Sequence, residues 1–368
     1  MLKSLQKRVS HSIRAEIQAL SAYHVPDPSG LVKLDAMENP YTWPASLRAE
    51  WSRQLADVAL NRYPDPEGSE LKARLRREFG IADDLDLMLG NGSDELIQIL
   101  LLATRQVDRP LLIPVPTFSM YKMIGTFVGV PMVGVPLKTA DFALDVPGMK
   151  AAIERHHPSV VFLSHPNNPT GNLFAEQDLI QIIEAGADLV VVDEAYHAFA
   201  GHSFLPYLAK YDNLLILRTL SKMGLAGLRL GVLVGAPAWI AELDKIRLPY
   251  NINTLSQRTA EFALDHAQVF AEQGAAIRRQ RQWLYDTLRQ TSGLQVFPSD
   301  ANFILFRVGR GQAPMIFSEL KINGVLIKSM DGSDPLLHDC LRVTVGTPDE
   351  NQRFMDALRA ALKRIPVT

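Results

Sequence analysis

Four short stretches of the chain carry side chains that can do chemistry together. The first, Gly90-Asn91-Gly92-Ser93-Asp94-Glu95, leaves backbone N–H groups open at a helix start. A phosphate there gains up to about 2 kcal/mol, although Ser93 or Asp94 read alone serves equally well as a plain N-cap. The second, Ser164-His165-Pro166-Asn167-Asn168-Pro169-Thr170-Gly171, is a rigid turn with two amides, or a Pro/Asn/Gly turn and nothing more. In the third, Asp193-Glu194-Ala195-Tyr196, the adjacent acids suit metal ligation, or Asp193 pairs with a buried cation. The fourth is Arg218-Thr219-Leu220-Ser221-Lys222, followed by Gly224, Gly227 and Arg229. It offers a second anion site, though a single lysine is more often solvated. No stretch decides alone.

Each of these stretches follows a short apolar run. Residues 87–89, 160–163, 189–192 and 214–217 precede them in turn, and with 111–113 and 230–234 they read as buried strands. Helical patterns such as 94–104 and 176–185 lie between several of them. The alternation predicts an α/β fold, a mostly parallel central sheet flanked by helices, with ligands gathered beyond the carboxyl ends of the strands. Beyond about Pro249 the texture changes. Residues 261–289 read as one or two helices, 302–307, 325–328 and 341–345 as strands, and 314–322 and 349–364 as helices. The expected division is an N-terminal arm over 1–45, a large domain over 46–248 and a smaller α+β domain over 249–368. Within the arm, Leu2, Leu5, Val9 and Ile13 recur at helical spacing beside Lys3, Lys7, Arg8 and Arg14. That pattern predicts an amphipathic helix rather than a secretory signal.

Composition removes other classes. With 38 Lys+Arg against 40 Asp+Glu, the basic excess of a nucleic-acid binder is missing. A single cysteine, Cys340, excludes an intrachain disulfide and a cysteine zinc cluster. His156, His157, His197 and His202 lack zinc spacing, so no metal is expected. No apolar run nears the roughly 20 residues that span a bilayer. Glu95 stands where a dinucleotide fingerprint needs its third glycine, and no triphosphate-binding GxxxxGK[ST] loop occurs. The expected setting is the cytoplasm.

Brought to one sheet edge, the four stretches supply a phosphate cradle, an amide, an acid three residues before a tyrosine, and a lysine. Pyridoxal 5′-phosphate needs that set, having a phosphate tail, a phenolic oxygen, a ring nitrogen and an aldehyde that joins a lysine. Asp193 would keep the ring nitrogen protonated, opposite charges favouring the ionised pair.

HPNNPTG, VVDEAY and TLSKMGLAGLRLG resemble motifs of the fold-type I aminotransferases. LDAMENPY, NRYPDP, GNGSDELI, PTFSMY and CLRVTVGT are similar to those of the histidinol-phosphate aminotransferase family, and the likeness runs from about Leu34 to the C-terminal helix. It implies a homodimer with shared active sites that moves an amino group between L-histidinol phosphate and 2-oxoglutarate. Threonine-phosphate decarboxylase-like and aromatic aminotransferase activities share the scaffold and stay open as alternatives. By the resemblance, Lys222 forms the Schiff base and becomes the base, Asp193 pairs with the ring nitrogen, and Tyr196 and Asn168 bond the phenolic oxygen. Gly92, Ser93, Asp94, Thr219, Ser221 and Arg229 cup the phosphate, and Phe118 stacks on the ring. Tyr63 reaches the partner subunit's cofactor. Arg342, with Lys328, Tyr23 and Asn302, meets the substrate. Two departures stand out: Lys328 replaces an arginine, and the interval from Lys222 to Arg229 is one residue shorter than in many relatives, implying a tighter loop.

Overall fold

The computed structural model describes residues 2–22 and 25–364. Its centre is a seven-stranded sheet. Across the sheet the strands run Asp86–Asn91, Leu230–Gly235, Leu214–Thr219, Val190–Asp193, Val160–Ser164, Leu111–Val115 and Met132–Pro136. Six point the same way, and Leu230–Gly235 alone runs against both its neighbours. The edge strand Met132–Pro136 is absent from the sequence reading. Gly134 and Pro136 interrupt its pattern, and most of its residues are not buried.

Successive side chains of a strand point to opposite faces, and here both faces are covered. Leu87, Leu89, Val161, Leu163, Val190 and Val192 pack into one apolar cluster, and Met88, Phe162, Val191, Leu215, Leu217 and Leu233 into another. Continuous apolar runs, rather than alternating ones, follow from that double burial.

A four-stranded sheet orders Lys328–Ser329, Cys340–Thr344, Phe303–Arg307 and Gln295–Val296. Helices Ala313–Ile322 and Pro348–Arg364 supply residues to its separate core, around Phe303, Phe306, Leu320 and Phe354. The expected strand 325–328 is two pieces. Val325–Leu326 pairs in parallel with Val32–Lys33, while Lys328–Ser329 pairs with Cys340–Thr344. The long helical stretch divides at His266 into Thr254–Asp265 and Ala267–Arg289. In the arm, helix Leu2–Ser12 leaves Leu5 and Val9 exposed, as is Ile13 just beyond it.

Candidate active site

Asn91, Ser164, Asp193 and Thr219 end four co-directional strands, so the residues that follow them share one edge of the sheet. Arg229 reaches the same edge from the opposite direction, because Leu230–Gly235 starts where the others stop. Gly92 caps helix Ser93–Thr104 with φ +82°, a conformation that disfavours side chains. Its neighbour on the next strand, Gly231, has no room for a Cβ, which would lie 2.6 Å from Gly92 C and Ser93 N. The turn therefore seats directly on the sheet. Arg229 Nη2 lies 3.4 Å from Asp94 Oδ2, and the Thr219 and Ser221 hydroxyls are 2.9 Å apart. Open N–H groups, hydroxyls and a guanidinium thus meet at one helix start, as phosphate binding requires. The short loop after Lys222 closes through positive φ at Gly224 and at Arg229 itself.

Asp193 is buried, and Ala195 N–H donates to its Oδ1 at 3.0 Å. The Tyr121 hydroxyl donates to Oδ2 at 2.6 Å. Burial pushes the Asp193 carboxyl up to about 6 against these bonds, aided by Asp94 and Glu194. Glu194, its sequence neighbour, turns the other way. Its carboxylate takes Arg218 Nη2 at 2.8 Å and the Ser203 hydroxyl, in a pair of buried residues. Removing one partner of such a pair costs about 3–5 kcal/mol, so Glu194 anchors the turn that aims Asp193. Two adjacent acids therefore do different jobs, and neither belongs to a cluster able to hold a metal among the described residues.

Asn168 Nδ2 donates to the Tyr196 hydroxyl at 3.0 Å, and Arg342 Nη1 donates to Asn168 Oδ1. This chain of bonds ties a buried arginine of the small sheet to a tyrosine three residues past a strand of the large one. Burial holds the Tyr196 hydroxyl protonated, its pKa pushed well above the ordinary range. Phe118 is half-buried at the start of helix Ser119–Val128, on the same cavity wall.

Lys222 Nζ donates to the Ala36 carbonyl at 3.2 Å, and Arg342 Nη2 to the Asp35 carbonyl at 3.2 Å. Met37 follows in positive φ, its N–H given to Thr344 Oγ1 and its carbonyl taken by Asn302 Nδ2. Residues 35–37 are thus a strap over the site. Burial, then the Arg342 and Arg229 charges, lower the Lys222 amine to about 8, with Glu38 and Asp94 opposing. Lys328 stands directly opposite Arg342 across the antiparallel pair, on the same face.

One cavity is lined by Ser93, Asp94, Phe118, Asn168, Asp193 and Tyr196, closed by Thr219, Ser221, Lys222 and Arg229. The donors fit pyridoxal phosphate: a buried acid that a ring cation would relieve, a phenol, an amine and a phosphate cup. Gly92, Arg342 and Lys328 are not among its lining residues, and two further expected residues stand elsewhere. Asn302 gives its amide to Met37 O, so it supports the strap rather than lining the cavity. Tyr63 is 80% exposed and stacked on Tyr250 at 4.4 Å, outside this cavity. Tyr23 lies outside the described residues. Tyr121 escaped the sequence reading. The signal is the PTFSMY segment, but its second aromatic stands on an apolar helix face and reads as core.

Only the neutral amine attacks an aldehyde. With Lys222 as the capturing amine, covalent capture of added pyridoxal phosphate by apoprotein is expected to rise with pH, half-maximal near 8. Arg342→Ala removes a cation that disfavours the ammonium form, so the midpoint moves upward. Stopped-flow absorbance across pH checks both; a midpoint unmoved by Arg342→Ala removes the coupling.

The family model described as aminotransferase class I and II matches residues 29–358. The chain is 54% identical to the histidinol-phosphate aminotransferase 2 of Nitrosococcus oceani, across 97% of this chain and 99% of that protein. It is 50% identical to the histidinol-phosphate aminotransferase of Chromobacterium violaceum, covering 95% and 98%. Among solved structures it resembles the Sinorhizobium meliloti histidinol-phosphate aminotransferase in complex with pyridoxal-5′-phosphate. The TM-score is 0.85 at 25% identity, over 96% of this chain and 98% of that one.

Proposed function

Because the chain belongs to the class I and II aminotransferases, we propose that it transfers an amino group between L-histidinol phosphate and 2-oxoglutarate, using pyridoxal phosphate held at Lys222. The products are imidazole acetol phosphate and L-glutamate, a step of histidine biosynthesis in the cytoplasm. Half-identity over nearly the whole length to proteins named for this reaction carries the reading. The cavity supports it by keeping the amine, acid and phosphate cup together.

When bound, the cofactor supplies the aldehyde that takes the amino group and a ring that accepts the electron pair. The chain's residues do the rest. Asp193 holds the proton on the ring nitrogen, and Tyr196 with Asn168 orients the phenolic oxygen. Lys222 Nζ takes the proton from the substrate α-carbon, its lowered basicity suiting neutral pH. Arg342 receives the substrate phosphate in one half-reaction and a 2-oxoglutarate carboxylate in the other, since a guanidinium fork matches both anions. Lys328, beside it, adds a point charge. The test is to mix purified holoprotein with histidinol phosphate and 2-oxoglutarate. Glutamate formation is expected; no glutamate, with carbon dioxide released from O-phosphothreonine, would replace transamination by decarboxylation.

The assembly in this reading is a homodimer in which Tyr63 completes the partner's phosphate cup. Its support is an exposed tyrosine stacked on Tyr250, with Leu60 and Leu248 also exposed nearby in sequence. Lys222→Ala and Tyr63→Ala subunits, each impaired alone, should regain activity when mixed and reassembled. The mixed dimer then holds one site with both residues intact. Had Tyr63 served its own subunit, mixing would restore nothing.

A further inference from the structure

Tyr121 lies wholly buried in helix Ser119–Val128, its ring stacked on Phe162 at 4.8 Å and edge-on to Phe118 at 5.5 Å. Packed on both sides, the ring has one orientation, and that orientation delivers its hydroxyl to Asp193 Oδ2 at 2.6 Å. A residue needed only as core would fill the same space without the oxygen. We propose that Tyr121 is a positioning residue for Asp193, whose hydroxyl fixes the carboxylate and keeps the shared proton on the cofactor's ring nitrogen rather than on the acid. The inference rests on the pyridoxal-phosphate reading given above.

The surroundings of Asp193 show why a donor matters. Glu194 on its own strand end and Asp94 on helix Ser93–Thr104 are acidic; Tyr196 and Ser164 are neutral. The Ala195 N–H serves Oδ1, and Tyr121 is the side chain that serves Oδ2. Burial and the two acids raise the carboxyl to about 6, and the phenol opposes them. The phenol keeps its own proton, since burial and the facing carboxylate push its ionisation far upward. It therefore donates throughout the working pH range. A carboxylate that loses this bond holds a proton more tightly. The proton shared with the ring moves toward oxygen, and the ring drains electrons less well.

Tyr121→Phe preserves the ring and its stacking. With ¹⁵N-labelled pyridoxal phosphate bound, the ring-nitrogen resonance of the variant is expected to move toward its unprotonated value. In the apoprotein, the infrared carbonyl band of Asp193 should titrate about one to two pH units higher than in the wild type. Turnover falls about ten- to hundredfold with the 2-oxoglutarate KM unchanged. A resonance and a titration that match the wild type overturn the proposal, whatever the activity, and a lowered melting temperature alone then marks a packing role. If the wild type itself forms no borohydride-reducible adduct at Lys222, the cofactor reading fails instead, so the two failures are separable.

Discussion

Lys222→Ala lowers turnover by at least about ten-thousandfold in both half-reactions. In the proposed function the amine is both the nucleophile that holds the cofactor and the base at the substrate α-carbon, and general base catalysis alone contributes about 10²–10⁴. No neighbour can replace it. Arg342 and Arg229 bear on the amine as fixed cations, and Tyr196 keeps its proton because burial raises its pKa. The cofactor itself should still bind, since the phosphate cup and Asp193 are untouched. The decisive measurement is mass spectrometry after borohydride reduction: wild-type protein gains the cofactor mass on the peptide containing Lys222, and the variant gains none. An adduct persisting in the variant would assign the covalent role to another residue.

Asp193→Asn keeps the shape and removes the charge. Loss of one aimed electrostatic partner in a buried site costs about a hundred- to thousandfold in kcat. Stability should move the other way. Asp193 ionises near 6 rather than at the ordinary 3.8, so ionisation in the apoprotein is opposed by burial. The destabilisation builds as pH rises from 3.8 and is complete above about 6, where it amounts to roughly 3 kcal/mol. The variant apoprotein is then more resistant to urea than the wild type at pH 8 and no different at pH 3. Denaturation curves at the two pH values, alongside kcat, check the pair of effects. A kcat within tenfold of the wild type would remove Asp193 from its role.

Much of this site was legible because strand ends are legible: apolar runs mark the strands, and the residue types after each run carry the chemistry. Direction was not. Nothing in residues 230–234 distinguishes a parallel strand from the reversed one, yet the reversal is what brings Arg229 to the turn at Gly92. The sequence also carries no sign that Asn302 would support residues 35–37 from behind, because that bond joins positions 265 apart. Tyr121 is the converse case, a polar atom hidden in an apolar pattern, visible once the helix is packed against Asp193.

The strap at residues 35–37 also bears on synthesis. Arg342 and the Asp35 carbonyl are 307 positions apart, and Met37 and Thr344 equally so. At about 5–20 residues per second, a ribosome needs roughly 15–60 s between making the two ends of those bonds. The strands of the large sheet and the turn at Gly92 are made during that interval, but the corner at Arg342 is not. On the proposed function, a nascent chain stalled before Arg342 already carries Lys222 and Asp193 to meet the vitamin but lacks the residue that recognises what the vitamin acts upon.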